Sequence, residues 1–270
     1  MLPHLVAIGG FFIPTYGFLV ALAFLSGLWV TGRLARREPP PIGPDTERIL
    51  NLAIYCALAG IVGAKLLMFL VDVPYYIDNP GEIFSFATLQ AGGIFYGGLL
   101  TALGVAFYYM RRHNLPLLAT ADVFAPGLAL GHAIGRLGCF AAGCCWGRQT
   151  SLPWAVEFTH PEAHRLVGVP LNIPLHPTQL YESLGELAIF ALLMAAIVRP
   201  RRPGAILGLY LLLYSALRFG VEFVRAHDQA NPFGGPLSIA QWISLALIAT
   251  VLGVWGMRRG RAVREQVGRA

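Results

Sequence analysis

The sequence predicts an all-α polytopic membrane protein: seven transmembrane helices, a small head on one side, the N-terminus outside and the C-terminus cytoplasmic. Three observations carry this. Of 270 residues, 56% are hydrophobic and only 13% charged, against ~25% charged in a typical soluble domain. Seven apolar runs of membrane-crossing length can be drawn. The segments between them alternate sharply in charge.

The runs are 11–31, 49–71, 92–110, 121–140, 178–198, 205–224 and 237–257, within one membrane domain over 1–270. One set of connections carries Arg33, Arg36, Arg37, Arg48, Arg111, Arg112, Arg199, Arg201, Arg202, Arg258, Arg259, Arg261, Arg264 and Arg269. The other set has only Arg148, Arg165 and Arg225, beside Asp72, Asp78, Glu82, Glu157, Glu162 and Asp228. Positive loops stay inside, so this asymmetry sets the orientation. It also accounts for the net charge of +6 without nucleic acid. The first basic residue is Arg33, so the basic leader of a cleavable signal peptide is not expected. Pro39, Pro40, Pro41 and Pro44 mark the first inner loop, and Pro200 and Pro203 the third. The longest outer connection, 141–177, has no apolar run of its own and holds Gly143, Gly147, Trp154 and His176.

Three cations fall inside apolar runs: Lys65, Arg136 and Arg218. A charge at mid-helix costs at least ~2.5 kcal/mol, so it faces a cavity or a partner. From a rise of ~1.5 Å per residue, Arg136, Arg218 and Lys65 lie roughly 20–24 Å in from the inner boundary. That is the outer third of a core about 30 Å thick. Tyr16, Tyr96 and Glu182, on helices entering from outside, lie about 6–8 Å below the outer boundary. Glu222 is one turn above Arg218 on the same face. Buried ion pairs such as Arg218 with Glu222, or snorkelling side chains, would explain single residues. Three buried cations with so few acids imply an anionic ligand, and arginine binds phosphate bidentately.

The segment Gly135-Arg136-Leu137-Gly138-Cys139-Phe140-Ala141-Ala142-Gly143-Cys144-Cys145-Trp146-Gly147-Arg148 resembles the G-R-x-x-N-F-x-N-x-E-x-x-G-R signature of the prolipoprotein diacylglyceryl transferases. His176-Pro177-Thr178-Gln179-Leu180-Tyr181-Glu182 resembles their H-P-S/T-Q-L-Y-E. Arg218-Phe219-Gly220-Val221-Glu222-Phe223-Val224-Arg225 with Leu237-Ser238-Ile239-Ala240-Gln241, Tyr16-Gly17, and Gly92-Gly93-Ile94-Phe95-Tyr96-Gly97-Gly98-Leu99 complete an ordered set over nearly the whole chain. The resemblance implies a seven-helix bundle with a periplasmic head in the bacterial inner membrane. It implies that phosphatidylglycerol is the diacylglyceryl donor and that the lipobox cysteine of a prolipoprotein signal peptide is the acceptor. The product would be a thioether, with glycerol phosphate leaving and no cofactor. By position, Arg136 and Arg218 would hold the donor phosphate, with Tyr16 and Gly147 in the same site. The sequence departs from the pattern in two of these motifs. Tyr96 stands where the family usually has a catalytic histidine, and Cys139 and Cys144 replace its asparagine and its acid.

The catalytic candidates are therefore Tyr96, Arg136, Arg218 and Tyr16. The substrate-binding candidates are Arg136, Arg218, Gly97, Gly98, Cys139, Gly147, His176, Glu182, Glu222 and Lys65. Transfer needs a thiolate and a stabilised leaving phosphate. Tyr96, Tyr16, His176 and Glu182 are the candidate proton acceptors. Gly92, Gly93, Gly97 and Gly98 serve close helix packing or leave room for lipid chains, packing being the simpler reading. Cys56 reads as a small core residue. The C-x4-C-C spacing of Cys139, Cys144 and Cys145 does not match the usual zinc patterns. A disulfide from Cys139 to Cys144 or Cys145 and three reduced packing side chains stay equally open. The competing functions are a paralogue with another acceptor, a membrane thiol oxidoreductase and an anion transporter. The second lacks a C-x-x-C pair, and the third lacks inverted repeats.

Overall fold

The structure, a computed structural model, describes residues 4–8, 11–43, 45–85, 88, 92–226 and 232–267. Pro44, Asp228 and Arg269 lie outside them. The architecture is helical, and six of the described helices are long and apolar enough to cross a membrane. The chain opens with an antiparallel hairpin of β1 (His4–Ile8) and β2 (Phe11–Pro14). The expected first run was helical from residue 11. Its first four residues are strand instead, and α1 (Thr15–Ala35) starts directly after Pro14. Pro14 has no N–H to give a helix, so it suits the junction.

The described chain divides into two compact units, Met1–Val30 with Ala121–Ala270, and Thr31–Thr120. The second unit is built on α2 (Thr46–Val71) and α4 (Phe95–Arg112), with the short α3 (Val73–Asp78) between them in sequence. Small residues bring α2 and α4 together. A Cβ at Gly97 would sit 2.4 Å from the Gly63 carbonyl oxygen, and one at Gly98 2.7 Å from that of Gly60. The Thr101 hydroxyl lies between Gly97 O of its own helix (2.8 Å) and Ala59 O of α2 (2.9 Å). Backbone approach of this kind is how helices associate where water gives no apolar driving force. The segment entering α4 is pinned to α2 by Ile94 N donating to Ala64 O (3.0 Å). Gly93 sits there at φ +74°, where any side chain would be strained. The third apolar run was expected to be helical from residue 92. Residues 92–94 are not helical, which leaves α4 at 18 residues ending in Arg111 and Arg112. This helix is not among the six long apolar ones.

The first unit contains α5 (Leu117–Ala142) from Ala121 onward, α7 (Thr178–Ile197), α8 (Ala205–Glu222) and α9 (Ile239–Val267). Of these, α8 packs on both α7 and α9. A glycine stripe on α5 admits α1 closely. A Cβ at Gly27 would lie 2.8 Å from Gly127 O, one at Gly131 3.2 Å from Ala23 O, and one at Gly138 3.4 Å from Tyr16 Cδ2. At one end α5 is tied to α8 by buried Asp122, which accepts from Gly204 N and Leu207 N, both at 2.8 Å. A carboxylate there meets the orphan N–H groups and positive dipole of a helix start.

Polarity is arranged inside out. Leu100, Leu128, Leu184, Leu192 and Val198 are exposed, whereas Gln179, Glu182, Glu186 and Asp122 are buried. That suits a hydrocarbon solvent, in which polar groups must pair internally.

The 141–177 connection, expected to lack an apolar run, builds a small core nonetheless. Phe158, Ala163, Val169 and Leu175 are buried, with Phe140, Trp146, Val156, Val167 and Ile173 packed against them. Two short strands, β3 (Val156–Glu157) and β4 (Pro174–Leu175), pair antiparallel, and α6 (Pro161–Val167) lies between them in sequence.

Candidate functional site

Three helices of the first unit carry polar side chains at a spacing of four, which places each set on one helix face. They are His132 and Arg136 on α5, Glu182 and Glu186 on α7, and Tyr210, Tyr214, Arg218 and Glu222 on α8. The faces meet as rungs. Arg136 Nε pairs with Glu182 Oε2, and one turn away His132 Nδ1 lies 2.7 Å from Glu186 Oε1. Glu182 Oε1 accepts from Arg218 Nη1 at 3.2 Å, so one carboxylate joins both arginines. Arg218 Nη1 also lies 2.5 Å from Glu222 Oε2, and Glu222 Oε1 accepts from Ser238 Oγ at 2.9 Å. The His132 and Tyr214 rings stand edge to face at 5.2 Å.

The anion joining the arginines is thus a side chain, where three buried cations with few acids had implied an anionic ligand. Lys65, in the other unit, donates its Nζ to Thr88 O. The arginines keep donors for a ligand all the same. The Glu182 contacts engage Nε of Arg136 and Nη1 of Arg218, out of five N–H groups per guanidinium. Both side chains retain 15% exposure, while Glu182 retains 2%.

His132 was not among the sequence candidates. Its Nε2 accepts from Arg136 Nε (3.2 Å), so in that tautomer the proton sits on Nδ1, facing Glu186. Glu186 is fully buried, and its Oε2 has no hydrogen-bond partner among the described residues. Two arginines and three glutamates leave this cluster one negative charge in excess. The sequence signal was available in the matched spacing of His132 with Arg136 and Glu182 with Glu186. Spacing on one helix does not declare which partner helix the face meets.

The other candidates distribute as follows. Tyr16, the second residue of α1, packs beside Gly138, two residues along α5 from Arg136. Cys139 joins Cys144 and Cys145, and the three sulfurs lie within 4.8 Å of one another, all free. Hydrogen bonds from the Cys139 and Cys144 thiols, with Arg225 and Arg136 nearby, hold the Cys145 thiol well below its ordinary range. The same bonds and burial push Cys144 up. Gly147 is wedged in the head. A Cβ there would lie 2.5 Å from His176 Cβ and 2.7 Å from Val224 O. Gly147 N donates to His176 O (3.0 Å), and Arg148 N to Val224 O (2.8 Å). The His176 ring bonds Tyr181 Oη at 3.2 Å, which also accepts from Trp154 Nε1 at 2.8 Å. Lys65, Tyr96, Gly97 and Gly98 belong to the second unit. Tyr96 is the second residue of α4 and half exposed, and its ring stands edge-on to Phe95. Gly97 and Gly98 are engaged in the packing of α4 on α2.

Residues 3–257 match the family model of prolipoprotein diacylglyceryl transferase, so the match includes the whole ion-pair network. The chain belongs to that family. A phosphatidylglycerol–prolipoprotein diacylglyceryl transferase of Clostridium tetani is 33% identical over 261 residues, spanning 97% of this chain and 99% of the relative. Proteins of the same name from Vibrio parahaemolyticus (35% identity; 96% and 92% spanned) and Ruegeria pomeroyi (38%; 90% of each) agree. Within a transferase family, charged groups buried among apolar helices are expected at the site of chemistry, because intramembrane charge is otherwise costly.

Proposed function

We propose that this chain moves the diacylglyceryl group of phosphatidylglycerol to the lipobox cysteine of a prolipoprotein. The observation that carries the reading is the junction in which Glu182 joins Arg136 and Arg218. Glu182 fixes the two guanidinium planes, and their remaining N–H donors take the donor phosphate. The acceptor thiolate attacks the glyceryl carbon that bears the phosphate ester. The carbon–sulfur bond forms as the carbon–oxygen bond breaks, and glycerol phosphate leaves with the electron pair. Positive charge fixed in advance at the leaving phosphate lowers that barrier. The thiol proton goes to His132, whose charge Glu186 compensates. Tyr96, at the position of the family histidine, and Tyr16 orient the glyceryl group through their hydroxyls. Gly147 and His176 hold the head over the site, with Cys139, Glu222 and Lys65 lining the route of the substrates.

In this reading the protein is a single membrane domain in the bacterial inner membrane, with seven spans and α4 as the seventh. The N-terminus and head face the periplasm in this reading, which the arginine asymmetry supports. Reporter fusions after Arg112 and Arg202 are expected to report cytoplasm, and a periplasmic signal at either rejects this orientation. For the reaction, purified protein is incubated with phosphatidylglycerol and a lipobox peptide. A diacylglyceryl mass gain on the peptide cysteine is the expected product. A folded protein that leaves the peptide unmodified refutes the assignment.

A further inference from the structure

The three cysteines at the end of α5 form a side-chain cluster whose sulfurs take no chemical part in lipid transfer as described. We propose that Cys139, Cys144 and Cys145 bind one thiophilic d10 metal ion of the zinc class. Their sulfurs all lie within 4.8 Å of one another. Zinc–sulfur bonds of about 2.3 Å would set sulfurs roughly 3.8–4.0 Å apart around a shared ion. Closure therefore asks for shifts of about an ångström or less, which side-chain rotation supplies.

The local backbone holds this arrangement. Cys139 is fixed by the last turn of α5, and Cys144 N donates back to its carbonyl at 3.1 Å. Gly143 at φ +78° reverses the chain, and Cys145 follows in the left-handed region at φ +61°. That region is uncommon for a residue with a side chain, and such outliers persist where the surroundings over-determine them. Here the surroundings are two buried side chains. Gln179 Nε2 donates to Cys144 O (2.7 Å) and Thr178 Oγ1 to Cys145 O (2.6 Å). The loop is thus clipped to α7 in the conformation that gathers the sulfurs.

Charge favours the same occupant. Three thiolates around a dication carry one net negative charge, and Arg136 and Arg225 set positive charge against Cys145. Binding forms three metal–sulfur bonds, and the protons still held by the thiols pass to solvent, with no oxidant required. One position of a tetrahedral ion remains for an external ligand. A disulfide would use two of the three sulfurs, leave the third unemployed and need a thiol oxidant. The C-x4-C-C spacing argued against zinc because familiar sites take paired ligands from one short knuckle. Here a helix end and a left-handed residue bring all three sulfurs together from a different local fold.

The test uses the full chain in detergent, reduced and stripped with a chelator. It is titrated anaerobically with Co²⁺ and then with Zn²⁺. Expected are about one cobalt per chain with intense sulfur-to-cobalt charge-transfer absorption, and loss of that band as zinc displaces it. Zinc loading should also protect three thiols from alkylation, read by mass, which requires no variant. Cys139→Ser, Cys144→Ser and Cys145→Ser should each weaken binding at least about tenfold, with Cys56→Ser unchanged. A parental protein with an intact thermal transition but neither cobalt band nor thiol protection overturns the site. Binding that survives all three serine variants marks adventitious metal and overturns it equally.

Discussion

The α2–α4 pair and the α5–α7–α8 cluster solve the same problem in opposite ways. Between α2 and α4 the contact is glycine on glycine, with Gly60, Gly63, Gly97 and Gly98 bringing backbones together. Among α5, α7 and α8 the contact is charge on charge, through Arg136, Glu182, Arg218, Glu222, His132 and Glu186. The first is cheap, because small residues forfeit nothing by facing one another in lipid. The second is expensive, because each buried ion must be compensated. An expensive arrangement among apolar helices marks chemistry, whereas a cheap one marks assembly.

The largest effect that separates the two should come from the proton acceptor. His132→Gln keeps a polar side chain but removes the base, and a loss on the order of 10²–10⁴ in transfer rate is expected. Tyr96→Phe removes a hydroxyl proposed only to orient the donor, so it should cost less than His132→Gln. A parental rate in His132→Gln with a large loss in Tyr96→Phe would move the base to the second unit.

The arginines come next. Arg136→Lys and Arg218→Lys keep charge but lose the fork that addresses Glu182 and phosphate together. A fall of about 10²–10³ in rate is expected for each, with donor-concentration dependence measured alongside. Glu182→Leu leaves two buried cations without their shared carboxylate and should lower stability by about 3–5 kcal/mol. Thermal unfolding in detergent measures this, and an unchanged transition would show that the junction is not structural.

The smallest effect belongs to the cheap interface and should not touch chemistry per folded molecule. Gly97→Ala places a Cβ against the Gly63 carbonyl and the Leu67 Cβ and should lower stability by about 1–3 kcal/mol. Gly104→Ala, on the same helix with nothing within 4 Å of its Cβ, should leave the transition in place. Equal effects of the two would mean that backbone approach does not hold the pair.

The helical class, the apolar runs and the motif residues were legible in the chain itself, because burial in lipid and helix periodicity are written locally. Arg218 with Glu222 was legible for the same reason, since both lie on one helix face. The hairpin before α1 was not. Phe11, Phe12 and Ile13 read as the start of an apolar run, and only pairing with the preceding strand makes them strand. The shortened α4 was hidden similarly, since Gly93 and Ile94 continue the apolar run but are held outside the helix by contact with Ala64.

What the sequence determined by itself is therefore composition-borne: a membrane protein of long apolar helices, its arginine asymmetry, and membership of a motif family. What only the tertiary structure decided is pairing. That Glu182 joins Arg136 to Arg218, that Glu186 stands behind His132, and that three cysteines share one small volume depend on which helix faces meet. Side chains within one helix fix their neighbours by rise and rotation. Partners on different helices are fixed only when the bundle closes.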